Sequence, residues 1–221
     1  MGFPREEEQP MTGRHQRFAL LAGALLTASL AAPLLPAQAA EQLRLRGTVE
    51  AFEGKQLTIK TREGETAKVK LAEGWKISSV AKAEADAIKP GDFVGIASAP
   101  GTNGGNNALE VVIFPAAMKG TGEGSRPWDL QPGSTMTNAT VANAVKSVGS
   151  SGTGPTLTLE YKGGEKTISI PEGTPVVTFA PATESDLKAG AVVFVPAEKA
   201  EDGTLTSSRV VVGTKGVVPP M

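Results

Sequence analysis

From Glu41 onward, apolar residues recur at every second position in short runs separated by glycine-bearing turns, the period of strands that bury one face. Leu45, Gly47, Val49 and Ala51 share one side of a first run. Leu57, Ile59 and Thr61 share one side of a second, and Ala67, Val69 and Leu71 of a third. The Ala-rich stretch from Val80 to Ile88 predicts a short helix, ended by Pro90-Gly91, a pair that cannot continue one. Two further strands, Phe93 to Ala97 and Ala108 to Phe114, are joined by the turn-forming segment Gly101 to Asn107. Three strands, a short helix and two strands is the order of an OB-fold barrel, which leaves few exposed edges in so small a unit.

The order then returns. Gly47-Thr48-Val49 is matched by Ala139-Thr140-Val141, Leu57-Thr58-Ile59 by Leu157-Thr158-Leu159, and Gly64-Glu65 by Gly164-Glu165. Glu73-Gly74 matches Glu172-Gly173, Ile88-Lys89-Pro90-Gly91 matches Leu187-Lys188-Ala189-Gly190, and Val111-Val112-Ile113 matches Val210-Val211-Val212. Six matches in the same order, with one insertion around Gly149 to Pro155, point to an internal repeat. The expected fold is therefore all-β: two tandem OB-like five-stranded barrels, each with a short helix between its third and fourth strands. The first spans residues 41–117 and the second 138–216, with a short tail at 217–221. The connector 118–137 is rich in Gly and Pro, which argues against regular structure, yet it carries Trp128 between Arg126 and Asp129. Plain flexible linkers rarely hold such a cluster.

Ahead of the first strand, Arg14 and Arg17 precede an apolar run from Phe18 to Leu35 and a small-residue exit, Ala37-Gln38-Ala39. This is the three-part pattern of a secretory signal peptide, expected over residues 1–39 and better opened by Met11 than by Met1. An uncleaved membrane anchor is the rival reading, but Pro33 and Pro36 interrupt the run. The expected location is periplasmic or secreted, with membrane contact only through an uncleaved signal sequence.

Composition supports the β reading, because 26 Gly and 16 Pro call for many turns. The segment 1–39 holds Arg5, Arg14, Arg17 and Glu6, Glu7, Glu8, so 19 Lys and Arg face 20 Asp and Glu in the remainder. No global field then steers the protein to nucleic acid. There is no cysteine, and the one histidine, His15, lies in the export segment. Without imidazole or thiol the mature chain lacks the commonest general base, nucleophile and transition-metal ligands.

The tandem units, with the blocks Leu57 to Glu65 and Lys89 to Asp92, resemble an uncharacterised family of exported proteobacterial proteins defined by a domain of unknown function. The connector Arg126-Pro127-Trp128-Asp129-Leu130-Gln131-Pro132-Gly133-Ser134 is the most specific part of that likeness. The resemblance covers the mature chain and implies OB-like barrels in the periplasm, with no activity to carry over. Some relatives bear the label of a metal ABC transporter permease, from which this chain departs in lacking a set of membrane spans.

Four groups of residues invite chemistry. Arg126, Trp128 and Asp129 suit a ligand or partner platform, the indole stacking while the charges orient; the plainer reading is a Trp plugging the groove between barrels, with Arg126 and Asp129 paired at its rim. Asn103, Asn106, Asn107 and Glu201-Asp202-Gly203 offer oxygens, but without the spaced carboxylates of a calcium loop they read as turns. Gly120-Thr121-Gly122-Glu123-Gly124 is followed by Pro127 and Pro132, not by the helix a phosphate loop needs. Arg44, Arg46, Lys55, Lys60, Arg62, Lys68, Lys70 and Lys76 alternate with acidic residues and read as a solvated outer face.

The expected function is that of a non-enzymatic periplasmic binding or scaffold protein, with no catalytic residue, cofactor or metal site assigned and an envelope protein or polymer as partner. Alternatives are an accessory small-ligand or divalent-metal binding protein of a transport system, and a carboxylate-based glycan-active enzyme.

Overall fold

The computed structural model describes residues 41–102, 104–145 and 153–220. The expected signal peptide over 1–39, its alternative start at Met11, Asn103 and most of the insertion near Gly149 lie outside them. The described residues form twelve strands and three single 3-10 turns. No helix among them is long and apolar enough to cross a membrane.

A closed five-stranded barrel is built from β1 (Glu41–Glu53), β2 (Gln56–Thr61), β3 (Thr66–Lys82), β11 (Val192–Lys199) and β12 (Leu205–Gly213). β1 pairs antiparallel with β11 along its first half and with β2 along its second, and β3 closes the ring through a parallel ladder to β12. One strand can serve two neighbours because it coils between them. Gly47 sits at that crossover, paired to both Val193 and Thr61. A Cβ at Gly47 would collide with the Lys60 carbonyl, so only glycine lets the strands approach there. Val49, Leu57, Ile59, Val69, Leu71, Val193, Val195, Val210 and Val212 fill the interior, and Leu187 packs with them.

The remaining main strands are β4 (Phe93–Pro100), β5 (Asn106–Phe114), β7 (Thr135–Val145), β8 (Thr153–Tyr161) and β9 (Gly164–Pro171). β4 pairs with β5 and β7, β7 with β8, and β8 with β9. β5 meets β9 over two residue pairs, Asn106 with Ile168 and Asn107 with Ser169. These strands enclose a second core of Val94, Ile96, Val111, Val141, Leu157, Leu159, Ile168 and Ile170, with Ile88 against it.

Neither group of strands comes from one half of the sequence, which corrects the expectation of self-contained units at 41–117 and 138–216. The first half supplies β1, β2 and β3 to the closed barrel but sends β4 and β5 to the strands of the second half, which returns β11 and β12. The crossing runs through β3. It runs for 17 residues, interrupted between Leu71 and Lys76 by a register shift where Gly74 takes positive φ, and continues past the point where the apolar pattern of its first part ends. Its end pairs antiparallel with β10 (Val176–Ala180), a strand that the alternation did not predict. Ile77 pairs with Val210 and Val69 with Leu205; Val176 pairs with Val111 and Ile168 with Asn106, the same partnerships with residue numbers exchanged across a shift of 99. Val80 pairs with Phe179, its own counterpart under that shift.

Two smaller corrections follow from hydrogen bonding. The helix expected over 80–88 shrinks to a 3-10 turn at Ala85–Ala87, because Val80 to Lys82 are held in the β3–β10 ladder. Its equivalent in the second half is a 3-10 turn at Glu184–Asp186, whose Thr183 and Asp186 cap each other. The connector is also not free of regular structure: β6 (Gly124–Pro127) pairs with β7, which begins at Thr135.

Between the two cores lies a third apolar cluster of Val80, Val112, Val177, Phe194 and Val211, packed by Phe114, Trp128 and Phe179. Val112 and Val211 belong to strands whose adjacent residues face the other cores, so Val111-Val112 and Val210-Val211 are buried on both sides. Since each core contains strands from both halves, Leu57→Ala and Leu157→Ala should each cost roughly 2–5 kcal/mol. Both should lower one shared cooperative transition in calorimetry; two separable transitions, each sensitive to one variant, would show that the cores unfold independently.

Candidate functional site

The connector lies over the third apolar cluster, and its shape is set by short-range hydrogen bonds. Gly120, Gly122 and Gly124 all take positive φ, which lets the chain reverse before β6. Asn138 Nδ2 donates to Thr121 O at 3.0 Å, and Ser125 and Thr137 hydroxyls lie 2.9 Å apart, so the turn is held against β7. The loop from Trp128 to Ser134 closes on itself. Trp128 N donates to Ser134 O at 2.8 Å. The buried Ser134 Oγ lies 2.7 Å from Gln131 O and 3.0 Å from Trp128 O, its one proton shared between two carbonyls. Trp128 is thereby presented by a fixed loop.

What surrounds that indole differs from the expected rim pair. Asp129 is not paired with Arg126; its two carboxylate oxygens accept from Arg46 Nη1 and Nη2 at 3.0 and 2.9 Å, a fork-to-fork contact. Arg44 Nη1 stands 3.9 Å from the same carboxylate. Arg126 donates instead to Gly122 O at 2.9 Å. Three guanidinium carbons approach the Trp128 ring: Arg44 at 4.1 Å, Arg46 and Arg126 at 5.9 Å, within the reach of cation–π attraction. Arg46 also lies 5.4 Å from the ring of Phe194, its register partner on β11. Trp128 Nε1–H is enclosed and finds no acceptor among the described residues, and the indole is held there by packing and by the cations over it.

Arg44 and Arg46 are the residues that sequence reasoning misassigned, as members of a solvated face. They alternate with Leu45 and Gly47 and so do point away from the barrel core. That outer face is covered by the connector, which arrives some 83 residues later in the chain. The signal available in sequence was the Arg-x-Arg spacing; the carboxylate and indole that meet it are too distant to be linked by any pattern. Lys55, from the same predicted face, pairs with exposed Glu73. The candidate oxygen donors are turn and strand residues, with Asp202 Oδ1 accepting from Thr204 N at 2.8 Å and Asn106 Nδ2 donating to Thr167 O at 3.4 Å. Among the described residues no three His, Cys, Asp or Glu side chains are grouped to hold a metal ion.

Next to Trp128 is a cavity of about 420 Å³, within the range of small-molecule sites. Its walls include Val112, Phe114, Met136, Phe179 and Phe194, with Phe114 and Phe179 rings 5.4 Å apart. Arg44, Arg126 and Arg209 also line it, and among the described residues no acidic one does. Burial lowers the proton affinity of Arg126, and the neighbouring charge of Arg44 adds to the effect. Burial acts alone on Arg209 in the same direction. Both side chains remain charged at neutral pH, because guanidinium starts so far above it. Compared with protein-family models, with curated proteins and with solved structures, the chain matches none.

Partial burial pushes the Asp129 carboxyl up, but the Arg46 hydrogen bond and the charges of Arg46 and Arg44 outweigh it, leaving the group below its ordinary range. A depressed carboxyl stabilises the fold above its unfolded pKa of about 3.9 and loses that contribution as pH falls through the lower folded value. Asp129→Asn should therefore weaken the fold at pH 7 by about 1 kcal/mol or less, given its exposure. In denaturant titrations the gap to the parent should close as pH falls below the carboxylate range; a gap that persists there would deny the pair its role.

Proposed function

We propose that this chain is a non-enzymatic binding protein of the periplasm, exported by its N-terminal segment, and that the cavity beside Trp128 is where it binds. The observation that carries this reading is the lining of that cavity: three guanidinium groups and an apolar wall, with no carboxylate among them. Arg44 has Asp129 nearby, but holding the partly buried Arg126 and Arg209 without a carboxylate partner costs free energy, a cost that binding an anionic group offsets. The sequence after residue 39 has no imidazole or thiol, which supports binding over turnover. Export is supported by the cationic, apolar and small-residue order of residues 11–40.

Gln42 is exposed and lines the cavity, so a benzophenone amino acid placed there samples the site without disturbing the core. Irradiation in periplasmic extract should give a discrete adduct, small or large, that disappears in Trp128→Ala. Because Trp128 packs on the junction, that variant should also lose up to about 3 kcal/mol of stability. Arg126→Gln, whose side chain makes one hydrogen bond to the connector, serves as the milder companion. Absence of any adduct from Gln42 and from a second position at Thr121 would overturn the assignment.

A further inference from the structure

We infer that the cavity takes an amphiphilic monoanion, a carboxylate headgroup carried on an acyl or aryl body, with Arg126 and Arg209 receiving the headgroup. The inference rests on the cavity being the binding site and adds the chemistry of its ligand.

The charge arrangement separates the arginines into two kinds. Arg46 is already satisfied, its fork closed on both oxygens of Asp129. Arg44 lies over the indole and at the edge of the same carboxylate. Among the described residues Arg126 has only the Gly122 carbonyl as acceptor, and the half-buried guanidinium of Arg209 makes no hydrogen bond or ion pair. Each therefore retains donors for a planar, two-oxygen acceptor, the geometry a carboxylate offers. Among the described residues that line the cavity there is no carboxylate, and Asp129 is not one of them.

The rest of the wall excludes a bare anion as the whole ligand. Val112, Phe114, Phe179, Phe194 and Met136 present apolar surface, and a hydrated ion leaves that surface wet. A ligand that fills it gains affinity with each methylene it buries, about fourfold per group. A ligand polar on every side would leave hydroxyls or amides facing these rings unpaired. One charged end and one apolar body is the composition that satisfies both parts of the wall.

The test is isothermal titration of the full chain with octanoate, decanoate, decanol, acetate and inorganic phosphate at fixed ionic strength. Decanoate should bind one to one, roughly tenfold or more tighter than octanoate. Decanol should bind at least about tenfold more weakly than decanoate, and acetate and phosphate should show no saturable binding. Arg209→Gln and Arg126→Gln should each bring decanoate down toward decanol. The decanoate-to-decanol ratio measured within one variant is insensitive to partial loss of fold, and Arg209→Lys should recover part of it. Equal affinity for the alcohol and the acid would overturn the inference, as would decanoate binding that ignores both arginines. Sedimentation with vesicles of anionic phospholipid, without binding of free decanoate, would assign the charge to a membrane surface and also overturn it. If no amphiphile binds while the crosslinker at Gln42 still captures a partner, the ligand class falls and the binding site stands; if neither occurs, both fall.

Discussion

A strand that stays extended past the edge of its own barrel carries backbone donors and acceptors that must be paired somewhere. In this protein the end of β3 meets that demand by pairing with β10, Ser79 to Lys82 against Ala180 to Val177. Everything larger follows from that ladder. Because β3 continues beyond the barrel to pair with β10, the chain arrives at β4 among the strands of the second core, where Phe93 to Ser98 pair with β7. The second half makes the reciprocal passage and returns β11 and β12 to the closed barrel. The alternative, with each half folding back on itself, would bury the same kinds of residue but leave the β3 and β10 edges without partners.

The exchange also explains why a cavity with cations in it exists at all. Strands that cross between two cores bring the outer faces of β5, β11 and β12 together, and Val112, Phe194 and Val211 make that interface apolar. The connector must span the same place, since it joins β5 to β7. Its loop, closed by Ser134, sets Trp128 against the interface and Asp129 against Arg46. Opposite charge fixes where the loop docks, while the excess of arginine over carboxylate leaves positive charge directed at an apolar chamber. Specificity of docking and capacity for an anion thus come from one set of side chains.

Much of the local structure was legible in the residues. The alternation around Leu57 and Ile59, and around Leu157 and Leu159, placed those side chains in cores where they are fully buried. The turns at Gly64 and Gly203 take the positive φ that their glycines permit. The short helix was overestimated because helix propensity in Ala81 to Ala87 was weighed without the ladder that claims Val80 to Lys82. The connector was underestimated for the converse reason: Gly and Pro discourage a strand, yet Gly124 to Pro127 form one because β7 offers an edge. Of the site, Arg126, Trp128 and Asp129 stood out by composition, whereas Arg44 and Arg46 were grouped with a solvated face and Arg209 did not stand out.

By itself, then, the sequence determined most of the strands, though not β6, β10 or the end of β3, which faces of the others are apolar, and that Trp128 lies in an unusual connector, because each of these depends on neighbours within a few residues. Which strand pairs with which was decided only by the tertiary structure. Matched apolar patterns make β4 an acceptable neighbour for either β1 or β7, and period-two alternation carries no label of partner. The same holds for the carboxylate that Arg46 grips: it lies beyond the range of any local pattern, and only the path of the folded chain brings Asp129 to it.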